Sequence, residues 1–372
     1  MRQSLRLGRV AGIPVGMHWS VLVIVWLIAV TLSTIVLPEA APGEAAVLYW
    51  SVGVVTSVVF MVSLLAHELA HALVARGRGL KVGSITLWVL GGATEIEEEA
   101  ETPGAELVVA GAGPLASLLL ALGAFAASAA LPGPPLLVVV LVWLAYMNLV
   151  LGVFNLLPGA PLDGGRVLHA VLWRAHRDRA RADRAAAVAG QSLGFVLVIL
   201  GFVQMFAWNG FGGLWLVIVG WYLAGAARTE ATARIAREGL RGVPVGQVMS
   251  AVPDLAPAWQ SVEEFVSTAL RSHQRVFPVV DFSGAPVGVV SLEALTAVPA
   301  ERRASTRLST LARELTSQQV LAPDDEVVSL LGRPAAAGQV VAVVAEGGRV
   351  AGMVTTDDLN RVLQQVLLRG TA

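Results

Sequence analysis

Long apolar stretches dominate the part of the chain that precedes Arg228. An α-helix needs about 20 apolar residues to cross a bilayer. Two regions, 110–157 and 187–227, contain no Asp, Glu, Lys or Arg at all. The pattern predicts six transmembrane helices, which we place near 15–37, 46–75, 105–131, 136–157, 187–207 and 213–227.

Three connecting segments have other patterns. Lys81–Ile96 alternates apolar with small or polar residues and contains Gly91 and Gly92, which is typical of a β-hairpin. The acidic run from Glu95 to Glu101 is typical of a solvated loop. From Asp163 to Arg184 the arginines are spaced along a helix, which we expect to lie on the cytoplasmic face of the membrane.

The positions of the basic residues predict an orientation. The basic segments are the N-terminus, 76–81, 166–184 and 228–241, whereas the alternate loops 38–45, 132–135 and 208–212 contain no Lys or Arg. Cytoplasmic loops are enriched in these two residues. Both termini are therefore predicted to be cytoplasmic.

The C-terminal part contains an internal repeat. Arg275–Leu295 and Gln339–Leu359 superpose without a gap, with identical residues at seven positions. Each copy reads as strand, glycine turn, strand and helix. The fold class predicted for the whole chain is therefore a polytopic α-helical membrane domain with a membrane-associated β-hairpin, followed by a soluble α/β module present twice.

Composition excludes several classes of protein. The chain is 55% hydrophobic and 14% charged with a mean hydropathy of +0.69, whereas soluble domains carry about 25% charged residues. A single soluble globule and a disordered chain are both excluded, and a net charge of -1 does not favour a nucleic acid as partner. The absence of cysteine excludes disulfides, thiolate metal sites and a cysteine nucleophile.

The second apolar stretch contains the pattern H-E-x-x-H at His67, Glu68 and His71. Four residues along a helix bring the two imidazoles to nearly the same face, at a spacing that suits one Zn²⁺. Glu68 would lie close enough to act on a metal-bound water without being a ligand, as in metalloproteases. The alternatives are a purely structural role, which a cost of about 2.5–3.5 kcal/mol per ionisable residue in a membrane helix argues against, and metal binding without catalysis.

Two histidines leave a catalytic zinc site one protein ligand short. Asp163 is the only acidic residue between Glu106 and Asp178, and it follows an apolar stretch broken by two prolines. It could supply the third ligand or cap a helix, since Asp is a favoured N-cap residue, and the two roles are compatible. The remaining histidines outside the motif include His18, His169, His176 and His273.

Three segments together resemble the site-2 protease family of intramembrane zinc metallopeptidases. They are HELAH at 67–71, AGAGPLAS at 110–117 and NLLPGAPLDGG at 155–165, and the resemblance covers roughly residues 7–227. It implies that His67, His71 and Asp163 ligate zinc, that Glu68 is the general base and that Asn155 takes part in substrate binding. It also implies that Gly113 and Pro114 permit close packing against the catalytic helices, and that the hairpin offers an edge to an extended substrate.

The repeat resembles a pair of cystathionine-β-synthase (CBS) modules, as in the six-span branch of that family. The predicted domains are a protease domain over 1–227, a linker over 228–244 and a CBS pair over 245–368, divided at about 245–300 and 308–368. Such pairs often bind ATP or another adenine nucleotide through a turn that here supplies Thr355 and Asp358, whereas the first copy has Ala294 in place of the aspartate. The alternative is a dimerisation or docking module without a ligand.

The predicted function is hydrolysis of peptide bonds within the membrane segments of anchored regulatory proteins, such as transcription-factor precursors or anti-sigma factors. We expect the enzyme in the bacterial cytoplasmic membrane, modulated by the CBS pair and able to form a homodimer through it. The main alternative is a CBS-regulated membrane transporter or channel that binds zinc. It would account for six spans but not for H-E-x-x-H. An inactive scaffold is the third hypothesis.

Overall fold

The computed structural model describes residues 4–89, 91–96, 100–131, 133–208, 212–251, 253–331 and 340–370. The chain divides into two compact units, Met1–Ala231 and Thr232–Ala372. Parts of the acidic run, the turn near 208–213 and the start of the second repeat copy lie outside the described residues.

Among its described residues, the N-terminal unit is built mainly of seven helices. They are α1 (Val21–Ala40), α2 (Ala46–Gly77), α3 (Pro103–Ala130), α4 (Pro135–Asn155), α5 (Asp163–His176), α6 (Arg179–Trp208) and α7 (Gly212–Gly239). Among the described residues, five helices are long and apolar enough to span a membrane, namely α1 to α4 and α6. The sixth predicted span, 213–227, lies in α7, which continues into a charged segment and is not one of the five.

The first predicted span begins later than its hydropathy indicates. Residues assigned to its start belong to a strand, β2 (Ile13–Met17), which follows β1 (Leu5–Val10), and the helix begins only at Val21. β2 pairs in parallel with β3 (Val82–Trp88), Val15 lying opposite Ile85. The prediction of a helix from position 15 is therefore wrong, because a strand that follows α2 in the chain pairs with this apolar segment.

The predicted hairpin is present as β3 and β4 (Gly91–Ile96) and extends into a four-stranded sheet of order β1-β2-β3-β4. Ile13, Val15 and Ile85 are buried on one face of the sheet, where they pack with Ala72 of α2. The sheet thus lies against the helix that carries H-E-x-x-H, with β4 at its edge.

The arginine-rich segment forms two helices rather than one. α5 ends at His176, Arg177 has a left-handed backbone (φ 55°), and α6 begins at Arg179. α6 therefore includes both the end of the predicted surface helix and the predicted span from 187. The basic residues from Arg179 to Arg184 form the N-terminal turns of a long membrane helix.

The described part of the C-terminal unit forms two four-stranded sheets. Its strands are β5 (Ser250–Ala251), β6 (Ala256–Pro257), β7 (Val276–Val280), β8 (Pro286–Ser291), β9 (Arg313–Glu314), β10 (Val320–Leu321), β11 (Val340–Glu346) and β12 (Arg349–Thr355). Its helices are α8 (Val262–Arg271), α9 (Leu292–Thr296), α10 (Leu308–Leu311) and α11 (Thr356–Gly370). The sheet orders are β6-β7-β8-β9 and β10-β11-β12-β5.

The repeat is visible in the pairing of these strands. Val276 lies opposite Ser291 in the first sheet, and Val340 lies opposite Thr355 in the second, at the equivalent positions of the repeat in both strands. Each sheet also includes an edge strand from outside its own copy of the predicted pair, since β5 joins the second sheet and β9 the first. The division at about 300–308 therefore separates the repeat copies but not the sheets.

The predicted linker over 228–244 is helical as far as Gly239, where α7 ends. The boundary between the two units lies inside this helix, after Ala231, rather than in an extended segment. The part of the predicted linker that follows α7 leads to Val245, which is fully buried in the core of the C-terminal unit. Most of the predicted linker is thus the end of α7, and the rest is the short segment that leads into this core.

Gly190 of α6 is required by the loop that precedes α5. A Cβ atom on Gly190 would overlap the carbonyl oxygen of Ala160 and lie 2.8 Å from its nitrogen, both of them backbone atoms. We expect Gly190→Ala to lower the free energy of unfolding by about 1–3 kcal/mol, the usual cost of overpacking. Thermal unfolding of the detergent-solubilised protein measures it.

Gly123→Ala is the matched control, because a Cβ atom there meets no atom within 4 Å. An alanine in this helical position should leave stability unchanged or raise it by about 0.5–1 kcal/mol. Equal unfolding temperatures for the two variants would contradict the packing of α6 on this loop.

Candidate metal centre

The H-E-x-x-H residues lie on the buried face of α2. His67, Glu68 and His71 are 2%, 7% and 5% exposed, and Leu64, Ala72 and Ala75 continue the same buried stripe. The i, i+4 spacing brings the two imidazoles together, as the sequence predicts. Their Nε2 atoms are 3.3 Å apart.

Asp163 is the first residue of α5, and its carboxylate contacts both histidines. Its Oδ2 lies 3.2 Å from His67 Nε2 and 3.1 Å from His71 Nε2. The N-cap position of α5 is Leu162, so the helix-cap alternative for Asp163 is wrong. The carboxylate is directed at the imidazoles instead.

The three ligand atoms have the separations of a metal site. In a tetrahedral site with metal–ligand bonds of about 2.0–2.1 Å, neighbouring ligands lie about 3.3 Å apart. The three separations here are 3.1–3.3 Å. Two neutral imidazoles and a carboxylate form a donor set that suits Zn²⁺ with one position left for water. Within the described ranges, this is the only such group of three or more His, Asp or Glu residues.

α3 orients both imidazoles from behind. His71 Nδ1 lies 2.7 Å from the carbonyl oxygen of Val109, an acceptor, so Nδ1 carries a proton, and Nε2, on the side of Asp163, is the nitrogen that a metal would bind. His67 Nδ1 lies 2.9 Å from the hydroxyl of Ser117. Gly113 lies between Val109 and Ser117 on α3, and a Cβ atom at Gly113 would overlap His71 Nε2. The close packing expected at Gly113 is therefore observed.

Two effects of opposite sign act on the pKa of Asp163. Burial alone would raise the pKa, but the hydrogen bonds to His67 and His71 outweigh it and hold the pKa of this carboxyl well below its usual range. Asp163 is therefore ionised at neutral pH, as a carboxylate ligand of a divalent metal must be.

Glu68 lies under the edge strand of the sheet. The hydroxyl of Thr94 in β4 is 2.7 Å from Glu68 Oε2 and 3.2 Å from the Glu68 carbonyl oxygen. A Cβ atom on Gly92 would overlap the Glu68 side chain, so only glycine permits this approach. Sequence reasoning missed Thr94. Strand alternation places it on the same face as Gly92, but nothing in the sequence indicates that this face lies on α2.

A cavity of about 310 Å³ is lined by His67, His71, Asp163 and Glu68. Asn155, the residue implicated in substrate binding by the resemblance, lines it, as do Arg166 and Glu230, which the sequence analysis did not select. The side-chain amide of Asn155 donates to the carbonyl oxygen of Leu151 at 2.9 Å. The predicted site residues of the N-terminal unit thus share one cavity.

The other histidines lie outside this centre. His18 Nδ1 is 2.8 Å from Ser20 Oγ, and His176 Nδ1 is 3.1 Å from the carbonyl oxygen of Leu172. His169 is fully buried and contacts Glu106 and Asp183. None of these contacts involves a proposed ligand.

Thr355 and Asp358 adjoin each other at the start of α11. Asp358 is 3% exposed, and its Oδ2 accepts hydrogen bonds from the Thr355 backbone N–H at 3.1 Å and hydroxyl at 2.7 Å. Ser250 donates to it at 3.2 Å, and Arg361 also contacts it. In the first copy, Ser291 Oγ accepts from the backbone N–H of Ala294 at 3.1 Å. The two copies share the capping arrangement but not the carboxylate.

Comparison with known proteins identifies the family. The model of peptidase family M50 matches residues 55–140 and 136–201. The chain is 43% identical to Rip3 of Mycobacterium tuberculosis over 98% of its own length and 93% of Rip3. It is 25% identical to the zinc metalloprotease MJ0392 of Methanocaldococcus jannaschii over 99% of this chain and 98% of that protein.

Two solved structures resemble separate parts of the chain. The site-2 protease from Methanocaldococcus jannaschii aligns with a TM-score of 0.43 and 28% identity, covering 61% of this chain and 94% of that one. The CBS domain of a membrane protein from Sphaerobacter thermophilus aligns with a TM-score of 0.30 and 20% identity, covering 36% and 96%.

The sequence relatives favour the protease over the transporter and scaffold hypotheses. Rip3 matches this chain at a high level of identity from one end to the other. The membrane-spanning helices and the group formed by His67, His71 and Asp163 are consistent with the same assignment. The chain belongs to peptidase family M50 and is a multi-pass membrane zinc metalloprotease.

Proposed function

We propose that this enzyme hydrolyses peptide bonds within or near the transmembrane segments of membrane-anchored regulatory proteins. In this proposal His67, His71 and Asp163 hold one Zn²⁺ and Glu68 is the general base. The observation that carries it is the convergence of the three ligand atoms, 3.1–3.3 Å apart, beside a glutamate that is not among them. Zn²⁺ at this position would supply Lewis acidity to the water and to the scissile carbonyl.

Glu68 carries the proton through the reaction. Its Oε2 interacts with the Thr94 hydroxyl, so we assign Oε1 as the atom that takes the proton from the attacking water. The water oxygen bonds to the carbonyl carbon, the carbon–nitrogen bond breaks, and Glu68 returns the proton to the leaving nitrogen. Asn155 lines the cavity and would hold the substrate chain during these steps.

The edge of β4 is the proposed docking position of the substrate. β4 is the last strand in the sheet order and its residues Gly91 to Thr94 line the cavity. A helical segment must unwind before one of its peptide bonds can be attacked, and pairing with an edge strand would satisfy the exposed backbone groups. The substrate would therefore bind as an added strand directly above Glu68.

The proposal includes a location and a regulator. The basic loops favour cytoplasmic termini in a bacterial cytoplasmic membrane, so that water would reach the site from the cytoplasm. The C-terminal unit would modulate cleavage through one adenine nucleotide at Thr355 and Asp358 and through homodimer formation. Supporting the single nucleotide site, the second copy has an aspartate at the helix start where the first has Ala294.

Glu68→Gln tests the catalytic role. The substitution keeps the shape of the side chain and leaves the three ligands intact, so we expect an unchanged zinc content. Cleavage of a co-expressed membrane reporter should fall by about 10²–10⁴-fold, the usual contribution of a general base. Glu39→Gln, at an exposed position, is the control. Cleavage by Glu68→Gln at the wild-type rate would refute the mechanism.

Asp163→Ala tests the ligand set. Removing a ligand should weaken zinc binding by more than the about 10–100-fold that loss of an outer-shell partner costs. Metal analysis and chelator competition on the purified full chain measure this. Asp254→Ala, which changes an exposed carboxylate of the C-terminal unit, should bind zinc as the wild type does. Unchanged affinity in Asp163→Ala would remove Asp163 from the site.

The nucleotide site is tested by calorimetry with ATP and AMP on the full chain. We expect one nucleotide per chain in the wild type. Asp358→Asn should weaken binding, because an amide cannot replace the carboxylate as a double acceptor for ribose hydroxyls. Ser291→Ala, in the first copy, should leave binding unaltered. If the wild type binds neither nucleotide, the unit is a dimerisation or docking module without such a ligand.

A further inference from the structure

A second buried group of ionisable residues lies outside the metal centre. His169 of α5 is fully buried, and its Nδ1–H donates to Glu106 Oε2 of α3 at 2.7 Å. Its Nε2 lies 3.2 Å from Asp183 Oδ1 of α6, within ion-pair distance although not aligned for a hydrogen bond. One imidazole thus joins carboxylates from two other helices.

The group is connected to the metal centre through two helices. On α3, Glu106 lies one turn before Val109, whose carbonyl oxygen is 2.7 Å from His71 Nδ1. On α5, His169 follows Asp163 by six residues, about 9 Å along the helix axis. The contacts therefore form a closed loop. His71 contacts Val109 of α3, Glu106 of α3 contacts His169 of α5, and Asp163 at the start of α5 contacts His71.

A closed loop of contacts fixes the relative position of α3 and α5. α3 spans the membrane, where helix association gains little from the hydrophobic effect, so packing and polar contacts at its end determine how α5 lies against it. α5 also has little freedom toward α6, because His169 approaches Asp183 and the Arg179 guanidinium lies 5.0 Å from the centre of the Trp173 ring. A shift of α5 would move Asp163 away from ligand atoms only 3.1–3.2 Å distant.

We propose that Glu106, His169 and Asp183 form a positioning triad, which holds α5 against α3 and α6 so that Asp163 reaches the metal together with His67 and His71. The proposal rests on the zinc site proposed above. It predicts that metal affinity depends on three residues that are not ligands. They are positioning residues, since they act through α3 and α5.

His169→Phe is the first test, because phenylalanine fills the space of the imidazole and loses both polar contacts. In the full-length protein in detergent, we expect the zinc dissociation constant, measured by chelator competition, to rise by about 10-fold, near the lower end of the effect of losing an outer-shell partner. In the zinc-loaded variant kcat should fall while KM stays within about twofold. The absorption spectrum of the Co²⁺ form should shift as its coordination changes.

Ala170→Gly is the matched control. It removes a buried methyl group from the neighbouring residue of α5 and leaves the triad intact. It should lower the unfolding temperature without changing zinc affinity or the Co²⁺ spectrum. The triad is refuted if His169→Phe binds zinc as tightly as Ala170→Gly does at a temperature where both are folded.

Two isosteric variants decide the question if His169→Phe cannot be recovered from the membrane. Glu106→Gln and Asp183→Asn keep side-chain size and remove one carboxylate each, and each should weaken zinc binding severalfold. Wild-type affinity in both would overturn the proposal. Failure of the proposed zinc site itself gives a different result, since the wild-type chain would then bind no zinc.

Discussion

The mutual approach of two imidazoles and one carboxylate is the constraint on which the N-terminal unit depends. His67 and His71 come from one helix and Asp163 from another, with two membrane helices between them in the chain, yet their ligand atoms lie 3.1–3.3 Å apart. Buried ionisable groups are costly unless each is paired. In this arrangement each group is paired with the other two, which requires α2 and α5 to hold fixed positions relative to each other.

Two glycines permit this close packing, at the places where the backbones of α3 and β4 approach side chains of α2. Gly113 lets α3 approach the imidazoles from behind, and Gly92 lets β4 approach Glu68 from the cavity side. Any Cβ at these positions would overlap atoms that the proposed chemistry uses. The two faces of the H-E-x-x-H helix thus have different neighbours, because α3 contacts His67 and His71 while the edge of the sheet covers Glu68.

How far the site could be predicted depends on the distance between the residues along the chain. The pairing of His67 with His71 follows from helical periodicity, which is local. Asp163 could be singled out by its isolation in an apolar region, but only the fold shows that its carboxylate faces His67 and His71 and that Leu162 occupies the N-cap position. Thr94 and the triad at His169 could not be predicted, because each arises where elements distant in sequence pack together.

The same distinction holds for the fold. The apolar stretches predict the helices of the membrane unit because span length is a property of each segment alone. Hydropathy assigns the residues of β2 to a span because it averages over neighbours in the sequence. Such an average cannot detect the pairing of β2 with β3, which follows the long helix α2 in the chain. The arginines of 166–184 indicate a single surface helix, whereas the left-handed backbone at Arg177 divides it. The strand, turn, strand and helix of each repeat copy are predicted because they are local in sequence, whereas the edge strands β5 and β9 come from outside the copy whose sheet they join.

The C-terminal unit illustrates the limit of a motif without its environment. The resemblance to CBS modules implies Asp358 as a ribose ligand, but in the structure its carboxylate already accepts hydrogen bonds from Thr355 and Ser250. A ribose hydroxyl that reaches this carboxylate must therefore replace one of these donors or share an oxygen with it. Ser250 belongs to β5, the edge strand that joins the second sheet from outside its own repeat copy. Occupation of this position would thus act on the contact between β5 and α11 that the Ser250–Asp358 hydrogen bond makes.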